Sequence, residues 1–235
     1  MSQCAKILKI SNEKIVCAIT SLLWENDFGT NIRRIKTITD EITRKIGVRP
    51  VSHRAGRWAT NKEYLSLLVK YGYKVDCSFT PHIDWSKTKG MSKNSKGSNY
   101  RWASEFPFSI KTSHGTILEL PMTIRKRTLQ FKGVKSLRSF LRWIYRLFFP
   151  LHVWLRPNRN NIDEILSMME KEKNSKSDYL MFMIHSSELM PGGSPSFPTA
   201  NDVDCLYHDV EEIFKKASEF CVGKTISEYM HSYFF

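Results

Sequence analysis

Isoleucines at 32, 35, 38, 42 and 46 fall on one side of a helical period, so residues 31–46 are predicted to form an amphipathic helix, with Gly47 placed to end it. Residues 48–53 then read as a short strand. Thr60 and Glu63 have capping-box spacing ahead of Tyr64, Leu65, Leu68 and Val69, which predicts a second helix closed by Gly72. Residues 73–79 and 116–124 are strand-like, the latter around Leu118 and Leu120. Residues 178–184 (Asp-Tyr-Leu-Met-Phe-Met-Ile) are apolar at consecutive positions, as a parallel strand buried on both faces would be. Thr199 with Asp202 predicts the start of a helix bearing Val203, Leu206, Val210, Ile213, Phe214 and Ala217, and Thr225 with Glu228 that of a short last helix with Tyr229. Strands alternating with helices predict an α/β fold, a mainly parallel sheet or barrel. Residues 84–102, rich in Ser, Lys, Gly and Asn, are predicted to be a long loop of the kind that carries function.

Composition narrows the class. The 235 residues, 41% hydrophobic with six Trp and fourteen Phe, can fill a core and exclude disorder and fibrous repeats. Residues 1–20 carry Lys6, Lys9, Glu13 and Lys14 among their apolar positions, so no signal peptide and no membrane span is predicted, and the chain reads as cytoplasmic. Cysteines at 4, 17, 77, 205 and 221 show no pairing rhythm and no C-x-x-C, which points to reduced thiols. The net charge of +13 is uneven: residues 120–162 hold no acid but Arg125, Lys126, Arg127, Lys132, Lys135, Arg138, Arg142, Arg146, Arg156 and Arg159. Within that stretch Leu137, Phe140, Leu141, Ile144, Leu147 and Phe148 recur at helical spacing opposite Lys135, Arg138, Arg142 and Arg146. A basic amphipathic helix is therefore predicted as an insertion at about residues 125–159. It is a solvated face packed on the domain, a device for docking an anionic membrane surface, which would make the protein peripheral at the inner membrane face, or a contact for an acidic polymer. No nucleic-acid motif accompanies it, and no nucleic-acid partner is expected.

Three clusters place polar residues at or just after a predicted strand end, where α/β folds bind ligands. They are Ser52-His53-Arg54-Ala55-Gly56-Arg57-Trp58, Asp76-Cys77-Ser78 running on to His82-Ile83-Asp84-Trp85-Ser86, and Ile184-His185-Ser186-Ser187-Glu188-Leu189-Met190-Pro191-Gly192-Gly193. Each alone has a bland structural explanation. Together, over roughly residues 31–229, they resemble the polysaccharide deacetylases (NodB-homology domain, carbohydrate esterase family 4), and specifically the WalW-type subgroup. The resemblance implies a distorted (β/α) barrel of the glycoside hydrolase/deacetylase type and metal-dependent removal of acetyl groups from sugars of an envelope or capsule polysaccharide. Arg54-Ala55-Gly56-Arg57-Trp58 is similar to the family's third motif, with Gly56 where Pro is usual and Trp58 displaced by one. By that resemblance Arg54 would position the catalytic base, and the backbone beside Trp58 would bind the oxyanion. Asp84-Trp85 is similar to the fourth motif, with Trp85 a wall of the acetyl pocket and Asp84, or its rival Asp76, tuning the acid histidine. Phe182-Met183-Ile184-His185 is similar to the fifth motif, with Phe182 in place of Leu and His185 the general acid, because a leaving amine needs a proton near neutral pH. Ser86, Ser186 and Ser187 would contact the sugar.

The family's first two motifs, Thr-Phe-Asp-Asp-Gly and His-Ser/Thr-x-x-His, have no counterpart here. No histidine precedes His53, and the only earlier aspartates are Asp27 and Asp40. The resemblance implies a divalent metal, zinc or similar, whose ligands are not found in this sequence. His53, His82, Asp84, His185 and the Cys205/His208 pair are zinc-capable types without the spacing of a metal motif. No Gly-x-Ser-x-Gly elbow supports Ser186 or Ser187 as a nucleophile. Residues 1–30 stay unassigned, and residues 31–235 read as a partial deacetylase-like domain for which a complementing N-terminal polypeptide is an expected partner. Two functional readings stand: a deacetylase-like protein that binds acetylated saccharide with little or no turnover by this chain alone, and a non-catalytic membrane-surface or polyanion-binding protein built around residues 125–159.

Overall fold

A computed structural model describes residues 16–18, 28–88, 96–127, 151–175 and 177–234. The chain divides into two compact units, Met1–Met122 with Val222–Phe235, and Thr123–Cys221. The first unit is built on a sheet of β1 (Val16–Ala18), β2 (Ser52–Ala55), β3 (Val75–Asp76), β4 (Phe108–Thr112) and β5 (Gly115–Glu119), in the order β1-β2-β3-β5-β4. β1, β2, β3 and β5 run parallel, and β4 is antiparallel to β5. The α/β class with a parallel sheet is thus as expected. Among the described residues the sheet is open, with β1 and β4 at its edges, and no strands close into a barrel.

Helix α1 (Phe28–Ile46) carries the isoleucine stripe: Ile35 is buried against Tyr64, Leu65, Leu68, Tyr73 and Ile117, whereas Ile46 in the last turn stays exposed. Gly47 ends it as predicted, at φ 76° with its N–H donating to Thr43 O at 2.8 Å. Helix α2 (Lys62–Lys70) starts one residue later than predicted. Its cap is Asn61, whose Oδ1 accepts from Tyr64 N at 2.8 Å. Thr60 is committed elsewhere, its N–H donating to Ser98 Oγ and its carbonyl accepting from the same hydroxyl. Helix α5 (Ile226–Phe234) opens with the predicted reciprocal pair, Thr225 N to Glu228 Oε2 at 2.7 Å and Glu228 N to Thr225 Oγ1 at 3.1 Å.

The second unit holds an antiparallel pair, β6 (Ile124–Lys126) and β7 (His152–Trp154), with helices α3 (Ile162–Lys173) and α4 (Ala200–Ser218). Val153, Leu155, Ile165, Met168, Met169 and Ile213 form its core. The predicted Thr199/Asp202 capping box starts α4. The strand predicted over 178–184 is not formed. One of its amides, that of Met181, donates to the Thr123 hydroxyl at 2.7 Å instead of a carbonyl, and Met183 N reaches Leu155 O at 3.3 Å, so no ladder propagates. The core of the predicted basic helix, residues 128–150, lies outside the described residues. Of the described bases of that stretch, Arg125 pairs with Glu172, Arg127 with Glu164, Arg156 with Glu188 and Arg159 with Asp202. Those four guanidiniums therefore do not make an open cationic face. No helix of the described residues is long and apolar enough to cross a membrane.

Candidate functional site

The parallel register aligns His53 with Asp76 and Asp76 with Glu119 across β2, β3 and β5. Neighbours in parallel register share a face, so these side chains form one polar row at the carboxyl ends of the strands. All three are buried. Asp76 Oδ1 lies 2.7 Å from His53 Nδ1 and accepts from Ser78 Oγ at 2.8 Å. His53 Nε2 lies 3.2 Å from Tyr64 Oη, so with Nδ1–H donated to the carboxylate it accepts the Tyr64 hydroxyl proton. Glu119 Oε1 accepts from Phe79 N at 2.9 Å. The other oxygens, Asp76 Oδ2 and Glu119 Oε2, find no conventional donor among the described residues. Burial, then the neighbouring Asp76 carboxylate and the hydrogen bond between the two carboxyls, push Glu119 well above the usual carboxylate range. That direction favours the protonated form of Glu119 beside Asp76.

Arg54 stands beside this row at the end of β2. Its Nε donates to Cys77 O at 3.2 Å, and its guanidinium lies 5.7 Å from the centre of the Trp58 ring. The turn that carries Trp58, Gly56–Trp58, holds two consecutive non-glycine residues in the left-handed region, Arg57 at φ 54° and Trp58 at φ 58°. Such strain persists only where surrounding contacts over-determine it. Here Tyr100 Oη donates to Trp58 O at 2.5 Å, and Ala55 N donates to Ser78 Oγ at 2.7 Å. Beyond β3 the chain forms a ribbon in which Trp85 N donates to Ser98 O, and Tyr100 N to Ile83 O, at 2.9 Å each. Gly97 is required there: an added Cβ would sit 2.5 Å from Trp85 Cβ and closer still to its carbonyl oxygen. Trp85 is fixed by Nε1 donating to Thr80 Oγ1 at 2.8 Å. Asp84 accepts from Ser86 N and from Arg101 Nη2, and Ser86 holds its carboxyl below the usual range. His82, at φ 70°, has Nε2 2.6 Å from Glu105 Oε1. Burial pushes the Cys77 thiol up, which makes it a poor nucleophile.

The first unit thus carries Arg54 and Asp76 on two adjacent parallel strands, and Trp58, Asp84, Trp85 and Ser86 on the loops that leave them. No family model matches the chain. No curated protein matches it either. A solved structure described as "putative polysaccharide deacetylase from Mycobacterium smegmatis" is similar over 89% of this chain, at 13% identity and a TM-score of 0.49. The chain spans 58% of that protein.

The second unit carries the remaining candidates. His185 is exposed, with Nδ1 2.9 Å from Arg156 Nη2, and Ser186 and Ser187 lie on the exposed 3-10 turn Ser186–Leu189. Phe182 packs on Phe214 at 5.1 Å between ring centres, beside the core of this unit. Among the described residues no three His, Cys, Asp or Glu side chains are arranged to hold a metal ion. His53 is engaged at both ring nitrogens, and Asp84 is held by Ser86 and Arg101. Committed to these protein partners, His53 and Asp84 do not offer the donor set of the divalent metal that the resemblance implies. Sequence reasoning missed Glu119, Arg156 and Glu188. The signal for Glu119 was present as a lone acid inside the apolar run Ile117-Leu118-Glu119-Leu120.

Proposed function

We propose that this chain is a polysaccharide deacetylase-like protein, of the WalW-type subgroup, that binds acetylated saccharide through its first unit. The observation that supports it best is the joining of two motif segments, remote in sequence, by the Tyr100–Trp58 hydrogen bond and the Ser98–Thr60 pair. Trp58 and Trp85 offer ring faces to a sugar, and Arg54 offers a guanidinium for an acetyl or hydroxyl oxygen. Asp84 and Ser86 add polar groups to the same ribbon. In the second unit, His185, Ser186 and Ser187 are proposed to contact saccharide from an exposed turn. No step is assigned to a metal, and the reading predicts binding with little or no acetate release by this chain alone.

The test is titration of the intact chain with N-acetylated chito-oligosaccharides and with O-acetylated analogues, followed by calorimetry. Saturable binding that weakens at least about tenfold in Trp85→Ala, a loss of about 1.4 kcal/mol, is expected. No binding of either saccharide class by the folded chain would refute the reading.

A further inference from the structure

Arg156 and Glu188 enclose His185 in a closed set of hydrogen bonds. Arg156 Nη2 lies 2.9 Å from His185 Nδ1 and donates to Glu188 Oε1 at 2.6 Å, while His185 N donates to Glu188 Oε2 at 3.0 Å. Glu188 is buried, and the 3.8 Å from His185 Nδ1 to Glu188 Oε2 is too long for a hydrogen bond. The Arg156 backbone is held in turn, its carbonyl accepting from Asn161 Nδ2 at 2.9 Å. A guanidinium has donors only. Nδ1 of His185 must therefore present its lone pair to Arg156, and an Nδ1–H would point at a guanidinium N–H. A carboxylate at the same place would do the reverse: it would hold Nδ1–H and favour the imidazolium that a general acid needs.

We propose that Arg156 and Glu188 are positioning residues that hold His185 as the neutral Nε2–H tautomer, so that it meets an acceptor oxygen of a saccharide as a hydrogen-bond donor and does not protonate a leaving group. The choice of a saccharide oxygen rests on the function proposed above, whereas the tautomer does not. Glu188 acts from both carboxylate oxygens: one holds the guanidinium in place, the other fixes the backbone from which the ring extends. The side chain of His185 remains 57% exposed, which leaves it open to a ligand.

Long-range ¹H–¹⁵N correlation NMR of the histidine rings, on the intact chain near neutral pH, reads the tautomer directly. Wild type is expected to show His185 with a lone-pair Nδ1 and a protonated Nε2. Arg156→Met is expected to release Nδ1, giving a tautomer mixture or the imidazolium, and Arg156→Lys, which keeps a donor, to restore the wild-type pattern. The methyl signals of Ile165, Met168 and Ile213, in the core of the same unit, report that the variants fold. A wild-type Nδ1–H tautomer or imidazolium, or an Arg156→Met spectrum unchanged at His185, overturns the lock. Titration with an N-acetylated chito-oligosaccharide then separates the two ideas. If it binds without shifting the His185 Nε2 signal, the donor role is wrong; if it does not bind, the saccharide reading fails while the lock is decided by the tautomer alone.

Discussion

Glu119→Ala removes the acceptor of the Phe79 amide and leaves the Asp76 carboxyl without its neighbour, both in the buried interior of the first unit. An unsatisfied buried amide costs about 1–3 kcal/mol, a sizeable part of the roughly 5–15 kcal/mol that holds a domain folded. Glu119→Gln keeps a carbonyl oxygen for Phe79 and an amide N–H in place of the O–H of a protonated Glu119, so near pH 5 it is expected to stay within about 1 kcal/mol of wild type. Above that pH the two proteins should part. The carboxyl of Glu119 is raised by burial and by Asp76, so the unfolded chain gives up its proton in the ordinary glutamate range while the folded chain keeps it. The unfolded state then binds fewer protons, and the wild-type stability supplied by this group is lost as pH rises toward the folded value. Glutamine carries no such proton. Urea denaturation at about pH 5 and about pH 8, with midpoints compared at equal slope, should show Glu119→Gln gaining on wild type at the higher pH. A glutamine variant as unstable as the alanine one at both pH values would refute the raised Glu119 carboxyl, as would wild type gaining on it with rising pH.

Gly97→Ala forces a methyl into the Trp85 backbone, so the ribbon must shift; Trp85 fluorescence and saccharide binding should both change, and an unaltered spectrum would contradict the close approach. Asn61→Ala removes the side-chain acceptor of Tyr64 N at the start of α2 and should cost about 1 kcal/mol in chemical denaturation. Arg125→Ala strands Glu172 in a pair whose side chains are each 10% exposed and should cost about 3–5 kcal/mol. The double change Arg125→Met with Glu172→Met should recover most of that loss, and equal damage by both variants would mean that the pair is not what holds that region.

Local chemistry made much of the secondary structure legible. The isoleucine stripe with Gly47, the Thr199/Asp202 pair and the Thr225/Glu228 pair each specify an element within a few residues of themselves, and each is found where it was read, the isoleucine helix starting three residues earlier, at Phe28. Long-range partners moved the rest. Thr60 had the right type for a cap, but Ser98 takes its backbone and Asn61 serves instead. β1 and β7 are three residues each, too short to show a period. The α3 signal, Ile162, Ile165, Met168 and Met169 behind Asp163 and Glu164, was readable and went unread. At the site, Arg54, Trp58, Asp84 and Trp85 could be picked out because motifs are contiguous. The Asp76–Glu119 pairing could not, since it exists only through the register of β3 against β5, nor could the contact of Arg156 with His185.

The row His53–Asp76–Glu119 also bears on how the sheet finds its alignment. A slip of β3 by one residue would turn Asp76 to the opposite face and set Val75 between His53 and Glu119, because side chains alternate along a strand. Such a misalignment would bury the Asp76 carboxyl away from His53, a buried polar group without its partner, at a cost of about 1–3 kcal/mol. β3 is only two residues long and has almost no ladder of its own with which to choose a position. The buried polar groups do that choosing, so the same three side chains act as a key that admits one pairing of these strands and rejects the adjacent ones while the chain is still folding.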